Sequence, residues 1–186
     1  MLIHAATRPL GPVDCAELTR QVLALDESAW AAEPTRQLEH DVHAQTQSIL
    51  LLSCYGWPDV TVVQCTGWPL LQAAALPVID GIISNHYVAG GTLLRAMVVR
   101  LPPGARIAKH RDSHPSFASA HRIHVPLVTN PLVEFVVNGE RVPPRAHFGF
   151  ELNNNVLHQV VNRGGEHRIH LIFDYLPPRA GAGHLS

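Results

Sequence analysis

The feature that most constrains this chain is the series of short β-rich runs after Thr92, each closed by a turn signal. Leu93–Leu101 ends at Pro102-Pro103-Gly104, and His121–Val128 ends at Thr129-Asn130-Pro131. Leu132–Val137 runs into Asn138-Gly139, a strong hairpin signal. His147–Glu151 follows Pro143-Pro144, and Val156–Val161 follows Asn153-Asn154-Asn155. His167–Leu176 follows the turn Arg163-Gly164-Gly165-Glu166. Several short strands with Gly, Pro and Asn turns at modest spacing predict a barrel or jelly roll.

The first half reads differently. Residues 14–26 predict a helix, with Asp14 as cap and Glu17 three residues on. Ile49–Leu52 is a short apolar strand, and a second helix is expected from about Pro77 to Tyr87 with Pro77 in its first turn. Trp57-Pro58 and Trp68-Pro69 mark extended or turn backbone, because proline pushes the preceding residue out of the helical region. No repeat or linker separates the halves, so the helices are expected to pack on the barrel. The expected organisation is one mainly β (α+β) domain over 1–186: a helical and mixed support region at 1–91, a β core at 92–176 and a tail at 177–186.

Composition narrows the function. The chain has 186 residues, of which 46% are hydrophobic and 16% charged, too apolar for disorder. Fourteen basic and fifteen acidic residues leave a formal charge of −1, with no basic face suited to nucleic acid. No run approaches the ~18 apolar residues of a membrane span. Three cysteines, an odd count without a CxxC pair, argue against a disulfide framework and a zinc–thiolate site. The N-terminus lacks the apolar segment of a secretory signal, so the expectation is a soluble, reduced, cytoplasmic protein. Thirteen histidines stand out, nine of them after residue 100.

His110-Arg111-Asp112 carries the chemistry. A His-x-Asp pair on a strand or strand end puts both side chains on one face. With so many histidines such a pair also arises by chance, so its surroundings matter. His158, from a distant strand, completes three cis ligands. Two neutral imidazoles and a carboxylate form a facial triad that suits non-haem Fe(II) and leaves three positions open for cosubstrate and oxygen. Arg168 lies ten residues past His158, across a Gly-Gly turn and on the next strand. A guanidinium there fits a dicarboxylate cosubstrate, since its planar fork takes a carboxylate with two hydrogen bonds. Its neighbours Ile169, Leu171, Ile172 and Phe173 mark a buried strand, and a buried arginine needs a partner.

These residues resemble a known family. Leu101-Pro-Pro-Gly-Ala-Arg-Ile-Ala-Lys-His110-Arg-Asp112 is similar to the Pro-Gly…His-x-Asp core of the aspartyl/asparaginyl β-hydroxylases. Arg122-Ile-His124 is similar to that family's Arg-x-His strand, and His158…Arg168 through Asp174 to its second histidine, arginine and closing strand. His43-Ala-Gln-Thr-Gln-Ser48 is similar to a segment preceding the core in bacterial members. The resemblance spans roughly residues 40–176. It implies an Fe(II)- and 2-oxoglutarate-dependent dioxygenase on a double-stranded β-helix, using O2. His110, Asp112 and His158 would bind iron, and Arg168 the distal carboxylate of 2-oxoglutarate. Arg122 and His124 would face the site, meeting either the cosubstrate's metal-side carboxylate or the substrate's acid group. Vertebrate aspartyl hydroxylases lack the triad's Asp, which this chain has, so it is closer to the bacterial branch and to small proline hydroxylases.

Three functional readings stay open. One is hydroxylation of an aspartyl- or asparaginyl-type side chain in a peptide or protein. Another is hydroxylation of a free amino acid such as proline, or of a small carboxylated metabolite. The third is a cupin-like metal-binding module without oxygenase activity, against which Arg168 counts. Arg36, His43, Gln45 and Gln47 lie in a polar stretch before the barrel and are candidate substrate contacts or simply a solvated loop. His170 shares Arg168's face, as a pocket residue or a core histidine, and His114, four residues past His110, is a contact near the site or a loop histidine, while His121, His147, His167 and His184 read as loop or structural. The oligomeric state is not legible.

Overall fold

Two antiparallel sheets face each other in the computed structural model, which describes residues 3–33 and 41–178. The larger receives β1 (Thr7–Pro12), β2 (Gln47–Tyr55), β3 (Thr61–Gln64), β4 (Thr92–Leu101), β6 (His121–Val128), β9 (Phe148–Leu152) and β11 (Arg168–Leu176). The smaller receives β5 (Arg106–His110), β7 (Val133–Val137), β8 (Glu140–Arg141) and β10 (His158–Asn162). Strand order is β1-β9-β6-β11-β4-β2-β3 in one sheet and β5-β10-β7-β8 in the other. From Thr92 onward the chain passes back and forth between the sheets, with the β7–β8 hairpin kept together in the smaller one, four strands to each. That is the expected double-stranded β-helix.

Alternation along each strand assigns its faces. On β11, Ile169, Leu171, Phe173 and Tyr175 point outward into one apolar cluster with Leu18, Leu71, Ile79 and Ile82 of the helices. The inner faces of the two sheets meet in a second cluster, Leu101, Phe150 and Leu152 of the large sheet against Ile107, Phe135, Val137 and Val160 of the small one. Between these layers, Arg168, His170 and Asp174 point inward from β11 and are buried. The Asn138-Gly139 hairpin joins β7 to β8 with φ of 50° and 83°, the left-handed pair that a two-residue type I′ turn requires.

Local departures from the sequence reading have physical causes. Helix α1 is Ala16–Leu23, shorter than expected; Asp14 accepts a bond from Ala16 N (3.4 Å), and Glu17 pairs with Arg20 (2.6 Å). A short helix, α2 (Glu27–Ala31), follows it. The next helix, α3, runs from Trp68 to His86, nine residues before the expected start, with Pro77 in its interior. Burial of Leu71, Ala74, Ala75, Val78, Ile79 and Ile82 against the sheet outweighs the hydrogen bond that an interior proline removes. Strand β1, with two prolines and a glycine, does not read as a strand; it lies at the sheet edge, where proline is tolerated. No helix among the described residues is long and apolar enough to cross a membrane.

Candidate active site

His110 closes β5 and His158 opens β10, and the two are directly opposite in the ladder. Their ring centroids lie 4.3 Å apart. His110 Nδ1 is 2.7 Å from the Ala108 carbonyl and His158 Nδ1 is 3.0 Å from the Val156 carbonyl. Each carbonyl accepts the Nδ1 proton, which leaves the Nε2 lone pair of each ring to face the site. Asp112 lies just past β5, its backbone N–H donating to the Asn154 carbonyl (3.2 Å). One Asp112 oxygen is 3.8 Å from His110 Nε2, and ligand atoms of His110, Asp112 and His158 all lie within 4.8 Å of one another. Burial pushes the His158 imidazole below its usual value, against the pull of Asp112, so the ring is held neutral, as a metal ligand must be. Two fixed imidazole nitrogens and one carboxylate oxygen fit a divalent iron.

Behind the triad runs a row of ion pairs. Arg95 on β4, Asp174 on β11 and Arg122 on β6 are cross-strand partners on three adjacent strands. Arg122 donates to Asp174 through Nε (2.8 Å) and Nη2 (2.9 Å), and to the second oxygen of Asp112 through Nη1 (2.7 Å). Arg95 donates to Asp174 (3.3 Å) and to Ser116 Oγ (2.9 Å), and its Nη2 lies 3.2 Å from His114 Nδ1. Phe117 lies under both guanidiniums, 4.3 Å from Arg122 and 5.2 Å from Arg95. Burial works against the Arg122 charge, but Asp112 and Asp174 overcome it and hold the group above its usual value.

Two spaces meet at the triad and share His43, His110, Asp112 and Arg122. The outer cavity holds about 830 Å³ and is lined by the apolar Leu50, Leu52 and Met97 together with Arg95, Arg111 and His114. The inner space is narrow, about 30 Å³, and reaches Arg168 between Phe135, Leu152 and Val160. That is room for about one water, so a five-carbon diacid reaching Arg168 must widen it. Arg168 itself is 1% exposed and donates from Nη2 to His170 Nδ1 (2.8 Å). His170 Nδ1 is therefore an acceptor and the ring neutral; burial, and then Arg168 and His124, push its pKa well down. His124 lies on the neighbouring strand, 3.4 Å from His170 between Nδ1 atoms and stacked on Phe150 at 5.2 Å.

The structure thus brings His110, Asp112, His158, Arg122, His124, His43 and Arg168 together around one inner corner of the sandwich. His43 meets His110 edge-on, ring centroids 5.3 Å apart. Arg36 lies outside the described residues. Gln45 and Gln47 are turned to the scaffold, accepting from Arg106 N (2.8 Å) and Arg100 Nε (2.7 Å). His121 is on the outer face, 2.6 Å from Glu151. The sequence reading passed over Arg95 and gave Asp174 no role. A signal for both existed: each is a lone charge among apolar neighbours, on strands whose alternate residues are Leu94, Ala96, Val98 and Leu171, Phe173, Tyr175.

A profile of the aspartyl/asparaginyl β-hydroxylase family matches residues 17–178. No curated protein matches the chain by sequence. Among solved structures it is similar to a 2OG-Fe(II) oxygenase-family oxidoreductase from Burkholderia pseudomallei, at 14% identity and TM-score 0.50 over 87% of this chain and 89% of that one. It is also similar to a prolyl-4-hydroxylase from Pseudomonas putida, at 16% identity and TM-score 0.53 over 95% of each. A nickel complex of the non-heme monooxygenase ThoJ matches at 14% identity and TM-score 0.56 over 94% of this chain and 74% of that one. At such identities these structures share the fold, whereas the family profile covers most of the chain: the protein belongs to the aspartyl/asparaginyl β-hydroxylase family and is a hydroxylase-family enzyme.

Proposed function

We propose that the protein hydroxylates an unactivated C–H of an aspartyl- or asparaginyl-type side chain in a peptide, consuming 2-oxoglutarate and O2 and releasing succinate and CO2. One observation carries this reading. Three ligand atoms within 4.8 Å of one another, two of them imidazole nitrogens with fixed tautomers, sit where a wide cavity meets a narrow one that ends at a buried arginine. Bound iron supplies the oxidative decarboxylation and the C–H oxidation; the protein supplies binding and orientation. His110, His158 and Asp112 would hold the metal at the corner where the two cavities meet. Arg168 anchors the far carboxylate of the cosubstrate, a charge-assisted contact made by a guanidinium that is 1% exposed. His124 lines the inner space beside it, and the outer cavity holds the substrate, with His43 at the metal corner and Arg36 in the segment before it.

A second reading, a free amino acid such as proline or a small carboxylated metabolite as substrate, is favoured by the outer cavity. Its volume of about 830 Å³ lies in the range of small-molecule pockets. The deciding experiment is an anaerobic titration with Fe(II) and then 2-oxoglutarate, followed in the visible for the charge-transfer band of a keto acid on iron. The band is expected, and Arg168→Ala is expected to weaken it. Iron binding without a band would overturn the cosubstrate assignment and leave a metal-binding cupin. Succinate release is then compared with an aspartyl peptide, an asparaginyl peptide and free proline; stimulation by proline alone would overturn the peptide reading.

A further inference from the structure

The metal-side carboxylate is held from behind. Asp112 offers two oxygens. One faces His110, and the other, 2.7 Å from Arg122 Nη1, is taken up by that guanidinium. The oxygen facing His110 is the one left clear of this guanidinium, and so the one better placed to bind a metal. Arg122 is fixed by two further bonds, from Nε and Nη2 to the two oxygens of Asp174. The carboxylate of Asp174 is fork to fork with the guanidinium, the geometry that fixes an arginine in plane. Asp174 is fully buried, and its place on β11, directly across from Arg122 on β6, leaves the pair no room to slide.

We propose that Asp174 is a positioning residue for the metal centre: acting through Arg122, it turns Asp112 so that a single oxygen meets the iron. This inference rests on the metal assignment above. The chain of contacts is Asp174, Arg122, Asp112, metal, and Asp174 touches neither metal nor substrate. Its second arginine, Arg95, extends the chain to His114 on the wall of the outer cavity and to the buried Ser116 behind it. The charges alternate along the row, Arg95, Asp174, Arg122, Asp112, so the two middle groups, Asp174 and Arg122, each lie between opposite partners. Removing the Asp174 charge leaves Arg122 with one carboxylate in place of two. The guanidinium is then free to swing toward Asp112 and compete with the metal for both of its oxygens. Groups that orient metal ligands in this way typically contribute 10–100-fold to metal affinity.

The test uses Co(II) as probe, because its visible ligand-field spectrum reports coordination without turnover. Purified wild type, Asp174→Asn, Arg122→Gln, the double variant and His110→Ala are titrated with Co(II), and the melting temperature of each is measured without metal. Asp174→Asn is expected to weaken Co(II) binding by about 10–100-fold and to shift its spectrum. Because Asp174 acts through Arg122, the double variant should bind no worse than Arg122→Gln alone. Wild-type affinity and spectrum in Asp174→Asn, with only the melting temperature lowered, would overturn the proposal. So would a double variant whose loss equals the product of the two single losses. If Asp174→Asn does not fold, Arg122→Lys carries the test: a single ammonium cannot keep the planar two-bond pair with Asp174 while donating to Asp112, so weakened, spectrally shifted Co(II) binding is expected, and unchanged binding would overturn the proposal. Failure of the metal assignment looks different: wild type and His110→Ala would then bind Co(II) alike or not at all.

Discussion

Asp174 and Glu151 are both buried carboxylates on the seven-stranded sheet, 0% and 1% exposed, and they lie on opposite faces of it. Asp174 points into the sandwich, between Arg95 and Arg122, and is linked through Arg122 to Asp112, the proposed metal ligand. Glu151 points outward toward the helices. It accepts from Arg8 (2.7 Å) and the Tyr87 hydroxyl (3.0 Å) and lies 2.6 Å from His121 Nδ1. It ties the edge strand β1 and the end of α3 to the sheet. Burial alone would raise the Glu151 carboxyl, but His121, Arg8 and Tyr87 hold it below the usual carboxylate range. The two clusters use the same chemistry. What separates them is the side of the strand: outward ion pairs assemble the fold, and inward ones shape the site.

The sharpest way to break that comparison is at the metal. His110→Ala, Asp112→Ala or His158→Ala should each lower succinate formation by more than about 100-fold, since even groups that only support a ligand contribute 10–100-fold. These variants should melt close to wild type without metal. Full-rate turnover in any of them would remove that residue from the triad.

On the outer face the expectation reverses. Glu151→Ala leaves His121 and Tyr87 without their acceptor and frees Arg8. Breaking a buried pair from one side costs about 3–5 kcal/mol; the low end applies here because the Arg8 side chain is 40% exposed and can turn to water. Urea denaturation should read a loss of about 3 kcal/mol, with Co(II) affinity retained by the folded fraction. A loss of Co(II) binding at unchanged stability would show that the two faces are not separable in this way.

Arg168 tests the inner face at its far end. Arg168→Ala should weaken 2-oxoglutarate binding roughly 10–100-fold, the equivalent of a charged hydrogen-bond contact, and leave Co(II) affinity in place. Weakening of both together would mean that Arg168 holds the barrel rather than the cosubstrate.

Much of this division is readable from the chain. The strand pattern from Thr92 and the alternation in Arg168-Ile-His-Leu-Ile-Phe-Asp174 state which residues face inward. Ladder partners cannot be read in this way, because register depends on bulges such as those in β10 and β11. That is why His110, Asp112 and His158 stand out from their types and spacing, whereas the row Arg95–Asp174–Arg122 emerges only when three strands are laid side by side. Arg122 shows the same limit: sequence puts a guanidinium in the site, and the fold gives three of its donors to Asp112 and Asp174. The first ninety residues were harder to read. Their β1 and β3 are edge strands, and edge strands carry the weakest apolar pattern.

Acid should separate the two faces by window, with the smallest effect of the set. His170 is held neutral by burial beside Arg168, so its folded pKa lies below the unfolded value of about 6.5. The unfolded chain therefore binds a proton that the folded one refuses, and stability falls as pH drops below about 6.5. His114, His158 and His167, also depressed by burial, add to the same loss. Glu151 acts lower down: its folded pKa lies under the unfolded value of about 4.3, so its contribution is complete above that pH and is lost on further acidification. One group changes the slope by at most about 1.4 kcal/mol per pH unit. His170→Gln, which keeps an acceptor for Arg168 but does not titrate, should flatten the melting-temperature profile between about pH 6.5 and 5 and leave the more acidic limb intact. Glu151→Gln should do the converse. If both variants flatten the same limb, the inner and outer clusters are coupled through the sheet, and the assignment of one to the site and the other to the fold fails.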